Sequence, residues 1–203
     1  MTLDLRFPFA GRWLVQNSPA DRVPSHGTEA FASSYAIDFV PVDDAGRTAP
    51  FRLGSLLRPE APDRFPGFGR PVLAPVAGEV VAVHQRDPDH AAHRGLPSIR
   101  YALAQGQRVA QGWIALAGNH VMIRTDGGTV VALCHLKRNS AVVTLGQRVA
   151  AGGVVAGCGN SGNSTEPHLH VQAIDRGDVP TARPVHITFC GRLPRNGEII
   201  DAQ

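Results

Sequence analysis

The sequence has no run of about 18 apolar residues, so a membrane-spanning helix is not expected. Its first residues, MTLDLRFPFAGRW, lack a basic segment followed by a long apolar one, so no secretory signal is expected there. Retention in the cytoplasm, a removed leader and another route of export all remain open. Cysteine is scarce: Cys134, Cys158 and Cys190 are odd in number and lack CxxC spacing, which favours buried free thiols over a disulfide framework. Lys and Arg form no runs and no aromatic–basic stripe. A net charge of +3 therefore gives little support to nucleic-acid binding, although weak attraction to anionic polymers is compatible with it. Amphipathic helical periodicity is weak throughout, with SIRYALAQ (98–105) a place for one short helix.

Glycine and proline are plentiful, at 22 and 16 of 203 residues, and they recur between short Val/Ala/Ile runs. That pattern predicts a turn-rich β protein with one sizeable core. The expected strands are YAIDFV (35–40), PVLAPVAGEVVAV (71–83), NHVMIRT (119–125), TVVALCHL (129–136), HLHVQAI (168–174) and PVHITFC (184–190), the last closing the sheet. Asp126-Gly127-Gly128 supplies a hairpin turn between two of them. GQRVAQGWIALAGN (106–119) and GQRVAAGGVVAGCGN (146–160) resemble each other, and each reads as a Gly-bounded turn feeding an apolar strand. Residues 1–25 read as an extended strap with Phe7, Phe9 and Trp13 as apolar pegs. Residues 26–190 read as one domain, 84–117 as an exposed excursion within it, and 191–203 as a tail.

Chemistry concentrates at NSGNSTEPHLHVQAID (160–175). Strand alternation puts His168 and His170 on one face with Leu169 on the other. Their roots lie roughly 6.5–7 Å apart, so both do not easily reach one metal. One can hold an ion while the other reaches a ligand or water beside it; two solvated histidines are the plain alternative. Zinc hydrolases take three protein ligands and keep a position open for water. Asp38 is a charged residue in an otherwise apolar strand, and burying a lone carboxylate is unfavourable. Metal coordination would account for it, and so would a buried salt bridge. His26 lies upstream in a loop able to reach back over that strand, and His135 ends TVVALCHL, where a surface histidine is the plain reading.

GNHVMIRTDGGTVVALCHL, followed by VTLGQRVAAGGVVAGCGNSGNSTEPHLHVQ, resembles the lysostaphin/LytM-type zinc endopeptidases that cut peptidoglycan peptides. The likeness runs from about residue 71 to 174, apart from 84–117, and reaches back to YAIDFV. It implies zinc held by His26, Asp38 and His170, with His135 and His168 flanking the zinc-bound water as catalytic groups. It also implies a peptidoglycan or peptide substrate and a place in the cell envelope or outside the cell. The fold expected is mostly β, an antiparallel sandwich of barrel-like character with a groove across one sheet and little helix.

The sequence departs from that family in three ways. The usual early motif is His-x-x-x-Asp, whereas eleven residues separate His26 from Asp38; GTEAFASS, rich in small residues, reads as a bulge between two fixed ends, since added loop length adds little closure entropy. The excursion at 84–117 is longer than the usual link and could wall the cleft. Cys134 stands where an aliphatic or small residue often precedes the histidine. A non-catalytic scaffold of the same fold is the second reading, and a lipoyl-type carrier, which needs a lysine at a hairpin tip, is remote because Lys137 follows a strand end. GCGNSG (157–162) matches a dinucleotide fingerprint in letters only, because Pro167 and a strand follow where a helix is required. His84, His90 and His93 read as solvated surface histidines more readily than as a second metal cluster.

Overall fold

The β-branched runs become strands whose alternate residues face opposite layers, in a computed structural model that describes residues 2–50, 53–98 and 105–203. In chain order these are β1 (Thr2–Leu5), β2 (Gly11–Gln16), β3 (Ile37–Pro41), β4 (Pro71–Leu73), β5 (Gly78–His84), β6 (His120–Arg124), β7 (Val130–Cys134), β8 (Arg148–Val149), β9 (Val154–Gly157), β10 (Leu169–Ile174), β11 (Pro184–Phe189) and β12 (Ile199–Ala202). Two short helices, α1 (Gln105–Ala110) and α2 (Trp113–Ala117), precede β6. The main sheet runs β12-β2-β3-β10-β7-β6-β5-β8, with β11 joined to β10 and to β1, while β4 and β9 form a separate pair. Apart from the parallel β1–β11 contact, the pairings are antiparallel. The expected mostly β, barrel-like antiparallel architecture with little helix forms, as a curled sheet that makes a half-barrel.

Period-two patterning sorts the two faces. Ile37, Phe39, Val131, Leu133, Leu169 and Val171 turn inward and join Val72 and Val155 of the small sheet in the main core. Their alternate neighbours, Asp38, Ala132, Cys134, His170 and Gln172, are therefore presented on the opposite face. There a smaller apolar cluster, including Ala117, Met122, Ala132, Cys134 and Ile174, forms the floor beneath α2. Both faces being covered explains why every residue of β3, β7 and β10 is buried, including the polar ones.

Several expectations change in the folded chain. The N-terminal segment is more than a strap: β2 pairs with both β3 and β12, so residues 199–202 of the expected tail form a strand of the same sheet. Its pegs are real, because Phe9 and Trp13 are fully buried and stack at 4.5 Å between ring centroids. The run 71–83 splits into β4 and β5. The hairpin turn forms as expected, closed by Thr125 N–H to Thr129 O at 2.9 Å with Gly128 at φ +89°. The pentapeptide Gly-Gln-Arg-Val-Ala occurs at 106–110 and again at 146–150; the first copy lies in α1 and the second makes a turn and β8, so the shared turn-and-strand reading holds only for 146–160. The helix expected over 98–105 falls mostly on 99–104, outside the described residues. No helix among the described residues is long and apolar enough to cross a membrane.

Because β2 belongs to the sheet, Trp13→Ala should lower unfolding stability by about 3–5 kcal/mol, the usual loss for a buried aromatic. A urea titration followed by circular dichroism measures it; an unchanged midpoint would restore the peripheral-strap reading.

Candidate metal centre

Asp38 sits where the register of three strands converges. It is paired with Gln16 on β2 and with His170 on β10, so its carboxylate stands beside the His170 ring on the groove face. Asp38 Oδ1 lies 2.9 Å from His170 Nδ1, and Oδ2 lies 3.0 Å from His26 Nε2. Oδ2 also accepts a hydrogen bond from Asn17 Nδ2 at 2.7 Å. Burial alone would push the Asp38 carboxyl upward, but His26, His168 and the hydrogen bonds of His170 and His26 hold it well below the usual carboxylate range. For His170, burial works against the charged ring, yet its bond to Asp38 raises it above an ordinary imidazole.

His26 reaches this point from the loop before β3. The residues between it and Asp38 turn back through a short 3-10 helix at Ala30–Ala32, with Phe31 and Ala32 at positive φ. Ser25 Oγ, bonded to Ser33 O at 3.3 Å, lies 2.9 Å from His26 Nδ1, which leaves Nε2 aimed at Asp38. The small-residue bulge thus loops out while both ends stay in place.

Two more histidines close the site. His168 immediately precedes β10 and donates Nδ1–H to Glu166 O at 2.8 Å, because a carbonyl can only accept; its Nε2 then faces Asp38 Oδ1 at 3.8 Å. His135 donates Nδ1–H to Ser161 O at 3.0 Å, so its Nε2 also turns inward. It adopts φ +61°, a conformation sparsely used by non-glycine residues, and is pinned there by its own N–H to Ala117 O and by Gly159 N–H to its carbonyl. Burial depresses the His135 ring well below the ordinary imidazole value, aided by repulsion from His168 and His170, so it stays neutral near pH 7. The ring centroids of His135 lie 4.6 Å from His168 and 5.7 Å from His170.

The donor set suits a metal such as zinc. One ligand atom from each of His26, Asp38 and His170 lies within 4.8 Å of the others, the one such group of three among the described residues. His170 Nδ1 and His26 Nε2 each stand about 3 Å from an Asp38 oxygen, Oδ1 and Oδ2 respectively, so two imidazole nitrogens and a carboxylate, the donor types zinc takes, are already gathered at one point. Burial pushes the nearby Cys134 thiol far above its ordinary value, and Cys134 is not among the grouped ligand atoms.

A cavity of about 300 Å³ opens over the cluster. One side is apolar, formed by Phe31, Val109, Trp113 and Leu116; Arg108 stands there too, donating to Asn163 at 2.7 Å. The 84–117 excursion therefore walls the cleft, and it is not uniformly exposed, since Ala92 is fully buried. His90 and His93 are half-buried rather than fully solvated, and among the described residues they form no second metal cluster. His90 Nε2 lies 3.0 Å from Gly162 O and its carbonyl accepts from Asn160, while His93 N–H bonds Thr165 O, so both clamp the loop before His168. Of the cysteines, Cys134 and Cys158 are buried as expected and Cys190 is exposed. Sequence reasoning missed Asn17, Ser25, Ser161, Ser164 and Gln172. Only Gln172 carried a usable signal, as the next residue on the His168–His170 face.

Five inward-facing side chains of this kind, on a curled antiparallel sheet, define a candidate metallohydrolase centre. Residues 87–182 match the model of peptidase family M23. That match contains His135, His168 and His170 but begins after His26 and Asp38. The chain is 30% identical over 115 residues to the peptidoglycan DD-endopeptidase ShyC of Vibrio cholerae, covering 57% of this chain and 25% of that protein. It is 27% identical over 161 residues to ShyA of the same organism, covering 76% and 31%. The chain thus spans about a quarter to a third of the length of these curated relatives. Among solved structures, the catalytic domain of lysostaphin from Staphylococcus simulans aligns at a TM-score of 0.42 with 19% identity, covering 74% of each chain.

Glu166 beside this site yields a pH test. Burial raises its carboxyl above the ordinary 4.5 despite a hydrogen bond with Thr48, and among the described residues its Oε2 has no hydrogen-bond partner. Between 4.5 and the raised value the folded state holds more protons than the unfolded one, so stability falls as pH rises through that window. Glu166→Gln should therefore stabilise the protein at pH 7 by about 1 kcal/mol, with the gain shrinking toward pH 4. Thermal melts across that range measure it; a gain independent of pH would contradict the assignment.

Proposed function

We propose that this chain is a zinc-dependent endopeptidase that hydrolyses short peptides, with peptidoglycan stem or cross-bridge peptides as substrate. The observation that carries this reading is the convergence of His26, Asp38 and His170 on one point, with Nε2 of His135 and of His168 turned toward it. The names of the Vibrio cholerae relatives support the choice of substrate.

His26 Nε2, one Asp38 oxygen and His170 Nδ1 would hold the ion. Zinc bound there supplies Lewis acidity and makes water nucleophilic near neutral pH. The chain's own residues do the rest. Asn17 keeps the Asp38 carboxylate oriented, and Ser25 does the same for His26. The carbonyls of Ser161 and Glu166 fix His135 and His168 with their Nδ1 protonated, which leaves each Nε2 free to take a proton from the attacking water. Once protonated, the same nitrogen can donate to the oxyanion or to the departing amine. The cleft wall of Phe31, Trp113 and Leu116 excludes solvent from one side of the scissile bond and offers apolar surface to the peptide.

Purified protein should take up about one zinc per chain and release soluble fragments from purified peptidoglycan. His26→Ala, Asp38→Ala and His170→Ala should each weaken zinc binding by several kcal/mol and abolish hydrolysis. His135→Ala and His168→Ala should keep zinc while turnover falls about 10²–10⁴-fold. Glu29→Ala, at an exposed position inside the bulge, should change neither. Full zinc occupancy in His26→Ala would remove that residue from the ligand set, and zinc loss in His168→Ala would overturn the division of roles within the His-Leu-His strand. Metal-loaded protein with no activity on peptidoglycan or peptides would favour the scaffold reading.

A further inference from the structure

Gln172 is completely buried on the groove face of β10 and makes two hydrogen bonds. Its Nε2 donates to the backbone oxygen of Phe31 at 3.1 Å, and its Oε1 lies 3.0 Å from His170 Nε2. A carbonyl oxygen can only accept, so the amide end facing Phe31 must be the NH₂ group. The end facing His170 is then the oxygen, and it can only accept a proton from His170 Nε2. That fixes Nε2 as the protonated nitrogen of His170. Nδ1 gives its proton to the Asp38 carboxylate in the unliganded site, so it is the nitrogen that an ion would take over by displacing that proton.

The Phe31 carbonyl reaches Gln172 from the loop that separates His26 from Asp38. Phe31 and Ala32 adopt φ +56° and +59°, conformations that side chains other than glycine's favour little. Residues held so are over-determined by their surroundings, and here the bond to Gln172 ties the bulge back to β10. The loop that carries one candidate ligand is thereby linked through a single amide to another.

We infer that Gln172 is a positioning residue: with Phe31 O setting its amide, it holds His170 in the tautomer and orientation that present Nδ1 to the metal. Partners of this kind commonly contribute 10–100-fold in metal affinity by orienting the ligand ring. The inference rests on the zinc reading above and predicts different behaviour for two variants. Gln172→Met keeps the bulk and loses both bonds. Gln172→Glu keeps an acceptor for His170 Nε2–H and loses the donor to Phe31.

The test is zinc affinity by chelator competition on full-length folded protein, together with long-range ¹H–¹⁵N correlation of the zinc-loaded His170 ring. Gln172→Met should bind zinc about 10–100-fold more weakly at unchanged secondary structure, while Gln172→Glu should return to within about threefold of wild type. In the wild type the His170 proton should sit on Nε2. Wild-type affinity in Gln172→Met, equal weakness in both variants, or a His170 that binds zinc through Nε2 would each overturn the inference while leaving the zinc reading intact. A wild-type protein that takes up no zinc would overturn both together. Should Gln172→Met fail to fold, the Gln172→Glu affinity and the wild-type ring assignment still decide the matter.

Discussion

A buried carboxylate at the centre of the main sheet is the constraint around which the rest of the molecule is arranged. Asp38 is almost entirely removed from solvent, in a strand whose other residues are apolar. An isolated charge there would be strongly unfavourable unless paired and hydrogen-bonded. His26, His170 and Asn17 provide that compensation, each from a different part of the chain. Keeping them in reach requires β3 between β2 and β10 in one register, since a slip of a single residue would turn Asp38 into the core and Ile37 or Phe39 out of it. Core packing and site geometry are thus set by the same strand pairings.

The site is surrounded by backbone oxygens that select which imidazole nitrogen faces inward. Ser161 and Glu166 carbonyls do this for His135 and His168, and Phe31 does it indirectly for His170. The loop before His168 can supply two of them because it is itself clamped. Gly118 and Gly162 approach so closely that a Cβ on Gly118 would come within 2.5 Å of the Gly162 nitrogen, and His90 and Asn160 secure the other side. The excursion at 84–117 therefore acts on the chemistry in two ways, as a wall of the cleft and as a support for the loop that orients the histidines.

Much of this was legible from residue type and spacing. Alternation in His-Leu-His, a charge inside an apolar strand and a histidine at a strand end drew attention to His168, His170, Asp38 and His135, because a polar residue there breaks the pattern that the rest of each strand obeys; His26, and the roles of all five, rested on the family resemblance. The local conformation of 106–119 was not legible. The same five residues form helix at 106–110 and turn and strand at 146–150, so neighbours distant in sequence decide between them. Nor was the place of residues 11–16 and 199–202 in the sheet, since short runs near a chain end carry little pattern of their own. Gln172 and Asn17 are uncharged, and nothing in an uncharged polar side chain distinguishes a buried partner from a solvated one until its surroundings are known.

Which atoms would surround the ion decides whether His26, Asp38 and His170 are a metal centre. X-ray absorption at the zinc edge of metal-loaded protein addresses this directly. The structure predicts a first shell of nitrogen and oxygen at about 2.0–2.1 Å without sulfur, and outer-shell scattering from two imidazole rings. A sulfur shell near 2.3 Å, scattering from one ring or from three, or failure to load zinc at all would contradict it.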